Sequence, residues 1–165
     1  MKKILLLSDT HNHLDSGILK HSSSCDEIWH AGDIGTLSVT DELKRHKLFR
    51  AVFGNIDGTD VRKEFPQHQR FFCEGVDVWM THIGGSPGKY PREIKNIFHT
   101  HPPKLFICGH THILKVMFDK KYNMLYMNPG AAGNYGPHKV KTLLRFAIEK
   151  KEIKNLEVIE LGKFL

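Results

Sequence analysis

The sequence predicts an α/β fold in which two β-sheets pack together with helices outside. Three observations carry that prediction. Early in the chain, short apolar runs alternate with helix-like stretches, whereas from Ile113 onward the pattern is all β. No repeat, low-complexity segment or interdomain linker interrupts this order. Five of the apolar runs end in Asp, Asn or His, and in open α/β sheets a site lies outside the carboxyl ends of the strands.

The elements follow in order. Ile4 to Leu7 is an apolar run too short for a buried helix, bounded by Lys2-Lys3 and Ser8-Asp9, and reads as a buried central strand. Leu14 to Lys20 reads as a short helix or turn, and Ser22-Ser23-Ser24 as a loop. A second strand ends at His30, before Gly32-Asp33. Thr40 or Asp41 can cap a helix running to about His46. A third strand covers Arg50 to Phe53, and Gly54 to Asp60 is a loop. Gln69–Cys73 and Val76–Thr81 flank Glu74-Gly75 as a hairpin. Ile83 to Tyr90, with three Gly and one Pro, predicts a mobile loop at the substrate entrance, with Lys89, Tyr90 and Arg92 in reach of a phosphate. Pro91 suits the first turn of a helix presenting Ile94, Ile97 and Phe98 on one face, ended by Pro102-Pro103. The strand Lys104–Cys108 leads into Gly109. Two hairpins close the chain, Leu114–Phe118 with Met124–Met127 and Thr142–Ile148 with Ile153–Leu161.

At 165 residues the chain fits one domain, residues 1–165. Its 40% apolar and 25% charged residues are those of a soluble globule. No apolar run approaches the roughly 20 residues of a membrane span. The first run ends in a charge, unlike a secretory signal, so no membrane is expected and the protein is expected in the cytosol. Cys25, Cys73 and Cys108 lack metal or disulfide spacing and are expected to be buried thiols. Residues 1–100 carry 13 basic and 13 acidic groups; residues 101–165 carry 11 and 5, so the whole excess of +6 lies there. That surface could attract an anionic substrate or nucleic acid, but no dense basic block with interleaved aromatics supports nucleic acid.

The strand ends collect Asp9, His11, Asp33, Asn55, His82, His110 and His112. Two carboxylates, one amide and four imidazoles are too many for one ion, so two metals are the natural count. Asp33 is the candidate bridge, because its strand is expected beside the first. Nitrogen and oxygen donors without sulfur suit two divalent transition metals, manganese first, with iron, zinc or nickel as alternatives, over calcium. Two ions roughly 3.5–4 Å apart can share a water or hydroxide, lower its pKa and clamp the oxygens of an in-line displacement. That is equipment for hydrolysing a small-molecule phosphoester.

Asp9-x-His11, Gly32-Asp33, Gly54-Asn55, His82 and Gly109-His110-x-His112, in that order, resemble the calcineurin-like metallophosphoesterase superfamily. The short length, Gly54-Asn55-x-Asp57 and Asn128-Pro129-Gly130 are similar to its small YfcE-like phosphodiesterase branch. The resemblance implies a four-layer α/β/β/α sandwich. It assigns Asp9, His11, Asp33 and His112 to one metal, and Asp33, Asn55, His82 and His110 to the other. It implies Asp33, Asn55, Asp57 and His82 as the catalytic group. Three positions depart from the pattern. Ile56 stands where better-known members have a proton-donating His, Ile83 separates His82 from Gly84, and Ala131 stands where the branch often has Ser. Of the other histidines, His30 is expected to be packed, and His13 and His138 are the candidates for extra site members.

Two further readings compete. A binding module is one, since the retromer subunit of this fold uses the scaffold for partner contacts. Ligand completeness argues against it, because all seven positions carry competent ligands. A nuclease-like enzyme is the other, resting only on the basic C-terminal third. Substrate identity and oligomeric state, a homo-oligomer included, are not written in the sequence.

Overall fold

The structure, a computed structural model, describes residues 1–163. Two five-stranded sheets face each other. The first consists of β1 (Lys2–Leu7), β2 (Glu27–His30), β3 (Leu48–Ala51), β9 (Val140–Glu149) and β10 (Glu152–Lys163), in the order β10-β9-β1-β2-β3. The second consists of β4 (His68–Cys73), β5 (Val76–Thr81), β6 (Leu105–Ile107), β7 (Leu114–Asp119) and β8 (Met124–Pro129), in the order β4-β5-β6-β8-β7. In the first sheet the parallel strands β1, β2 and β3 form one side, ending at the edge strand β3, and β9 and β10 add antiparallel on the other; in the second the parallel strands β5, β6 and β8 form the middle between antiparallel β4 and β7. The expectation that Asp33 follows a strand beside the first holds, because β1 and β2 pair in parallel.

The run Ile4-Leu5-Leu6-Leu7 is apolar throughout because both its faces are buried. Ile4 and Leu6 point between the sheets, against Trp29, Val78, Met80, Ile107 and Phe146. Leu5 and Leu7 point outward, beneath α1 (Ser16–Ser22), α2 (Leu37–His46) and α3 (Thr59–Glu64), where Ile18, Val39, Leu43 and Val61 meet them. On the far face of the second sheet, α4 (Arg92–Thr100) buries Ile94 and Phe98 against Trp79, Phe106 and Tyr126. Truncating Phe98 to Ala would cost about 3–5 kcal/mol. Helix, sheet, sheet, helix is the four-layer sandwich. Among the described residues no helix is long and apolar enough to cross a membrane. The three cysteines are buried and unpaired with one another, and burial pushes the Cys73 thiol up to about 11 and Cys108 to about 12.

Four expectations need correcting. The second helix starts at Leu37 with Thr36 as its N-cap, not at Thr40 or Asp41; Thr40 lies inside it, its hydroxyl donating to Leu37 O. The third strand is Leu48–Ala51, two residues earlier than expected, because its partner His30 pairs with Ala51. The loop after Asn55 ends at Gly58, where α3 begins; with only Val61 buried, this helix has no readable periodicity. Ile97 is exposed, so α4 anchors through Ile94 and Phe98 alone.

Candidate metal centre

The site forms where the loops after β1, β2, β5 and β6 meet, and glycine makes the approach close enough. A Cβ on Gly54 would overlap the Asp33 carboxylate, and one on Gly109 would overlap Ser8 Oγ and Asp9 Oδ2. These loops force ligand-type residues into left-handed backbone: Asp9, His11, Asp33, His110 and His112 have φ of 55°, 44°, 53°, 67° and 59°. Non-glycine residues adopt this region at a cost, and such residues cluster at functional sites. Backbone bonds across the loops hold them there, Asp9 N–H to Gly32 O at 2.9 Å and His11 N–H to Asp33 O at 3.1 Å.

Six side chains fall into two sets whose nitrogen and oxygen atoms lie within 4.8 Å of one another: Asp9, His11 and His112, and Asp33, His82 and His110. Asp33 Oδ2 lies between the sets, 3.5 Å from His11 Nε2 and 3.2 Å from His82 Nε2. Its other oxygen accepts the Ile56 N–H at 3.0 Å. Asp9 Oδ2 accepts the Ser8 hydroxyl at 2.6 Å and the His110 N–H at 3.1 Å, while Asp9 Oδ1 faces the cluster, 3.1 Å from His112 Nε2. His82 Nδ1 donates to Ala31 O at 2.7 Å, which leaves the lone pair of Nε2 turned inward.

These residues fit divalent cations, and the orphaned atoms are the test. Asp9 Oδ1, His11 Nε2 and His82 Nε2 are buried without a hydrogen-bond partner. Buried polar atoms left so are costly and call for an explanation, an ion among them. The short nitrogen–oxygen distances are not aligned as hydrogen bonds, so proximity here does not amount to pairing. Charge points the same way. Burial pushes the Asp9 carboxyl upward, but the His11 and His112 rings, the His82 charge and the Ser8 hydroxyl more than offset it, holding Asp9 far below the usual carboxylate range. Asp33 is likewise lowered: burial opposes, and His82 with the Ile56 N–H prevails. Burial disfavours a charged His82, yet Asp33 and Asp9 raise its pKa above the ordinary imidazole value. The two buried carboxylates therefore favour a positive charge on His82.

Asn55 stands apart, exposed beside His82 in a recess of about 170 Å³ that Phe53, Arg62, Gln67, Thr81 and Ile83 complete. Arg62 lies over the Phe53 ring, 4.5 Å from its centroid, and donates to the Asp57, Gly54 and Asn55 carbonyls. Arg62 has no motif or periodicity around it that marks it in the sequence.

Asp57 does not join the cluster, which corrects its expected place in the catalytic group. Its oxygens accept the Gly35, Ile34 and Gly54 N–H groups at 2.8, 3.2 and 2.7 Å, so it ties two loops together from behind. Tyr90 is also misplaced by the sequence reading: it is buried, its hydroxyl donating to Asp119 Oδ2 at 2.8 Å, and cannot meet a substrate. Ile83 does border the recess. His30 is buried as expected, its Nε2 donating to Thr10 Oγ1 at 2.9 Å and its Nδ1 accepting the Gly32 N–H at 3.2 Å. Burial pushes its pKa down to about 4. His138 reaches the cluster, 3.2 Å from His112. His13 turns instead toward Asp15, 4.0 Å away. The sequence reading missed Ser8, although a hydroxyl directly before a strand-end Asp was a readable cue.

A family model described as the calcineurin-like phosphoesterase superfamily domain matches residues 1–151. No curated protein matches the chain significantly. Solved structures similar in fold include wild-type Vps29 complexed with zinc from Entamoeba histolytica, at 17% identity and TM-score 0.73, covering 97% of this chain and 99% of that one. A predicted phosphoesterase from Streptococcus pneumoniae TIGR4 aligns at 18% identity and TM-score 0.73, over 97% of this chain and 90% of the other. An archaeal phosphodiesterase aligns at 22% identity and TM-score 0.70, over 95% and 99%.

Proposed function

The chain belongs to the calcineurin-like phosphoesterase superfamily, and from that premise we propose that it is a cytoplasmic phosphodiesterase with a two-metal centre, built as one domain over residues 1–165. The observation that carries this reading is the convergence of buried ligand atoms, three of them without a hydrogen-bond partner, from separate strand ends into two adjoining sets, with Asp33 Oδ2 of one set 3.5 Å from His11 Nε2 of the other. Asp9, His11, Asp33 and His112 would hold one ion, and Asp33, Asn55, His82 and His110 the other. When bound, two divalent cations, manganese first, with iron, zinc or nickel as alternatives, would stabilise charge on the phosphoryl oxygens and acidify an attacking water.

The chain's own groups then have distinct tasks. Ser8 and the His110 N–H hold Asp9 by one oxygen and leave the other turned inward. Ala31 O holds the His82 proton on Nδ1, away from the site. Arg62 braces the carbonyls of Gly54 and Asn55, and so fixes the wall of the recess where an organic arm of the substrate would lie. Ile56, next to Asn55 and 46% exposed, has no proton to give a leaving group.

A second reading, a partner-binding module without catalysis, is favoured by the fold likeness to Vps29. One experiment separates the two. The metal-reconstituted protein is assayed on phosphomonoesters, aryl phosphodiesters, cyclic nucleotides and oligonucleotides. Turnover of diesters, lost in Asp33→Asn, is expected; no turnover of any substrate by protein that has taken up its metal would favour the module, and preference for oligonucleotides a nuclease.

A further inference from the structure

Residues 133–138 form a strap across the cluster. The Gly133 N–H donates to Asp9 O at 3.0 Å. The Tyr135 ring lies 5.1 Å from that of His11. Gly136, at φ 128°, runs so close to His112 that a Cβ there would overlap the imidazole. His138 then faces His112 through like atoms, Nδ1 to Nδ1 at 3.2 Å, and places its Nε2 2.8 Å from Gly133 O.

Two Nδ1 atoms in hydrogen-bond contact hold one proton between them, and the rest of the contacts say whose it is. A carbonyl oxygen only accepts, so His138 Nε2 carries an N–H. With both rings neutral each has one N–H, so His138 Nδ1 is bare and accepts. His112 Nδ1 therefore donates, and His112 Nε2 keeps its lone pair. That nitrogen is the one 3.1 Å from Asp9 Oδ1. The opposite tautomer would set an N–H beside Asp9 Oδ1, yet that oxygen accepts no hydrogen bond.

We propose that His138 is a positioning residue that sets the tautomer and ring orientation of His112, so that His112 Nε2 is presented, unprotonated, to a divalent cation. The inference rests on the metal-centre reading. It adds a residue outside the seven strand-end ligands, carried by a strap that neither β1 nor β6 contains. Partners behind a metal-ligating histidine typically change metal affinity about 10–100-fold.

The test has two readouts. In metal-free protein, long-range ¹⁵N–¹H correlation of the histidine rings should show His112 protonated at Nδ1 in the wild type and protonated at Nε2, or mixed, in His138→Leu. His138→Gln, whose amide can accept from His112 and donate to Gly133 O, should restore the Nδ1–H form. In zinc titration against a competing chelator, His138→Leu should weaken one of the two ions about 10–100-fold, leave the other within about threefold, and be rescued by His138→Gln. A wild-type His112 protonated at Nε2 would overturn the proposal, even if His138→Leu fails to fold. So would equal weakening of both ions, or no rescue by Gln. If wild-type protein binds no zinc while His112 shows the Nδ1–H form, the metal-centre reading fails and the tautomer control stands.

Discussion

Left-handed backbone occurs in two regions of this molecule for different reasons. At the β9–β10 turn, Lys150 and Lys151 have φ of 50° and 68°. Two consecutive residues of this kind make the turn whose twist matches the flanking strands, and Glu149 pairs with Glu152 across it. Asn and Gly would serve better there than lysine. At the carboxyl ends of β1, β2 and β6, Asp9, His11, Asp33, His110 and His112 take similar angles, but their identity is dictated by chemistry. The turn is tied to the other sheet by one bond, Lys151 N–H to Glu74 O at 3.0 Å, whereas the site's conformation is imposed by several loops bonded to one another. Strain in the first can be relieved freely, and strain in the second only by giving up a ligand.

The largest effect should come from Asp33, the residue between the two sets. Asp33→Asn keeps the shape and removes the charge. We expect both ions to weaken together and turnover to fall about 10³-fold, measured by elemental analysis and diester hydrolysis; loss of a single ion would show that Asp33 is not shared. The leaving group comes next. With Ile56 next to Asn55 and no proton donor there, the rate should fall steeply as leaving-group pKa rises, and Ile56→His should recover up to about 10²-fold on alkyl esters. A flat dependence with chemistry rate-limiting would point to another donor.

Acid should separate the regions in metal-free protein. His30 has its pKa pushed from 6.5 down to about 4 by burial, so the unfolded chain binds more protons between those values. Its contribution to stability is present above pH 6.5 and lost as pH falls toward 4. His30→Gln should flatten that part of the unfolding profile, followed by urea denaturation at each pH; an unchanged slope would assign the loss elsewhere.

The smallest effects test the comparison itself. His110→Gly should stabilise the metal-free protein by about 1 kcal/mol while weakening metal binding. Lys150→Asn with Lys151→Gly should stabilise by a similar amount, about 1 kcal/mol, and leave turnover unchanged. Thermal melts of both, with and without metal, decide the matter. If His110→Gly melts lower without metal, the site loops are not strained.

Much of the fold was legible because burial writes itself into the chain. Ile4 to Leu7 is apolar at every position since each residue faces a core, and Glu74-Gly75 between two strand-like runs announces the β4–β5 hairpin. Helix α3 was invisible because a six-residue helix that buries one side chain leaves no period to read. The start of α2 was misread because Thr40 resembles a cap, while tertiary packing begins the helix at Leu37.

The sequence by itself determined which side chains stand at the strand ends and in what order, since each apolar run stops where a polar side chain begins. Only the tertiary structure decided what each one does. Asp57 and Asp33 look equivalent in sequence, yet three backbone N–H groups claim the oxygens of Asp57, and Asp33 keeps one turned to the cluster. His138 lies 26 residues from His112 along the chain and 3.2 Å from it in space. The physical reason is that a hydrogen bond depends on distance and direction, which loops from different strands set together and no single stretch of chain encodes.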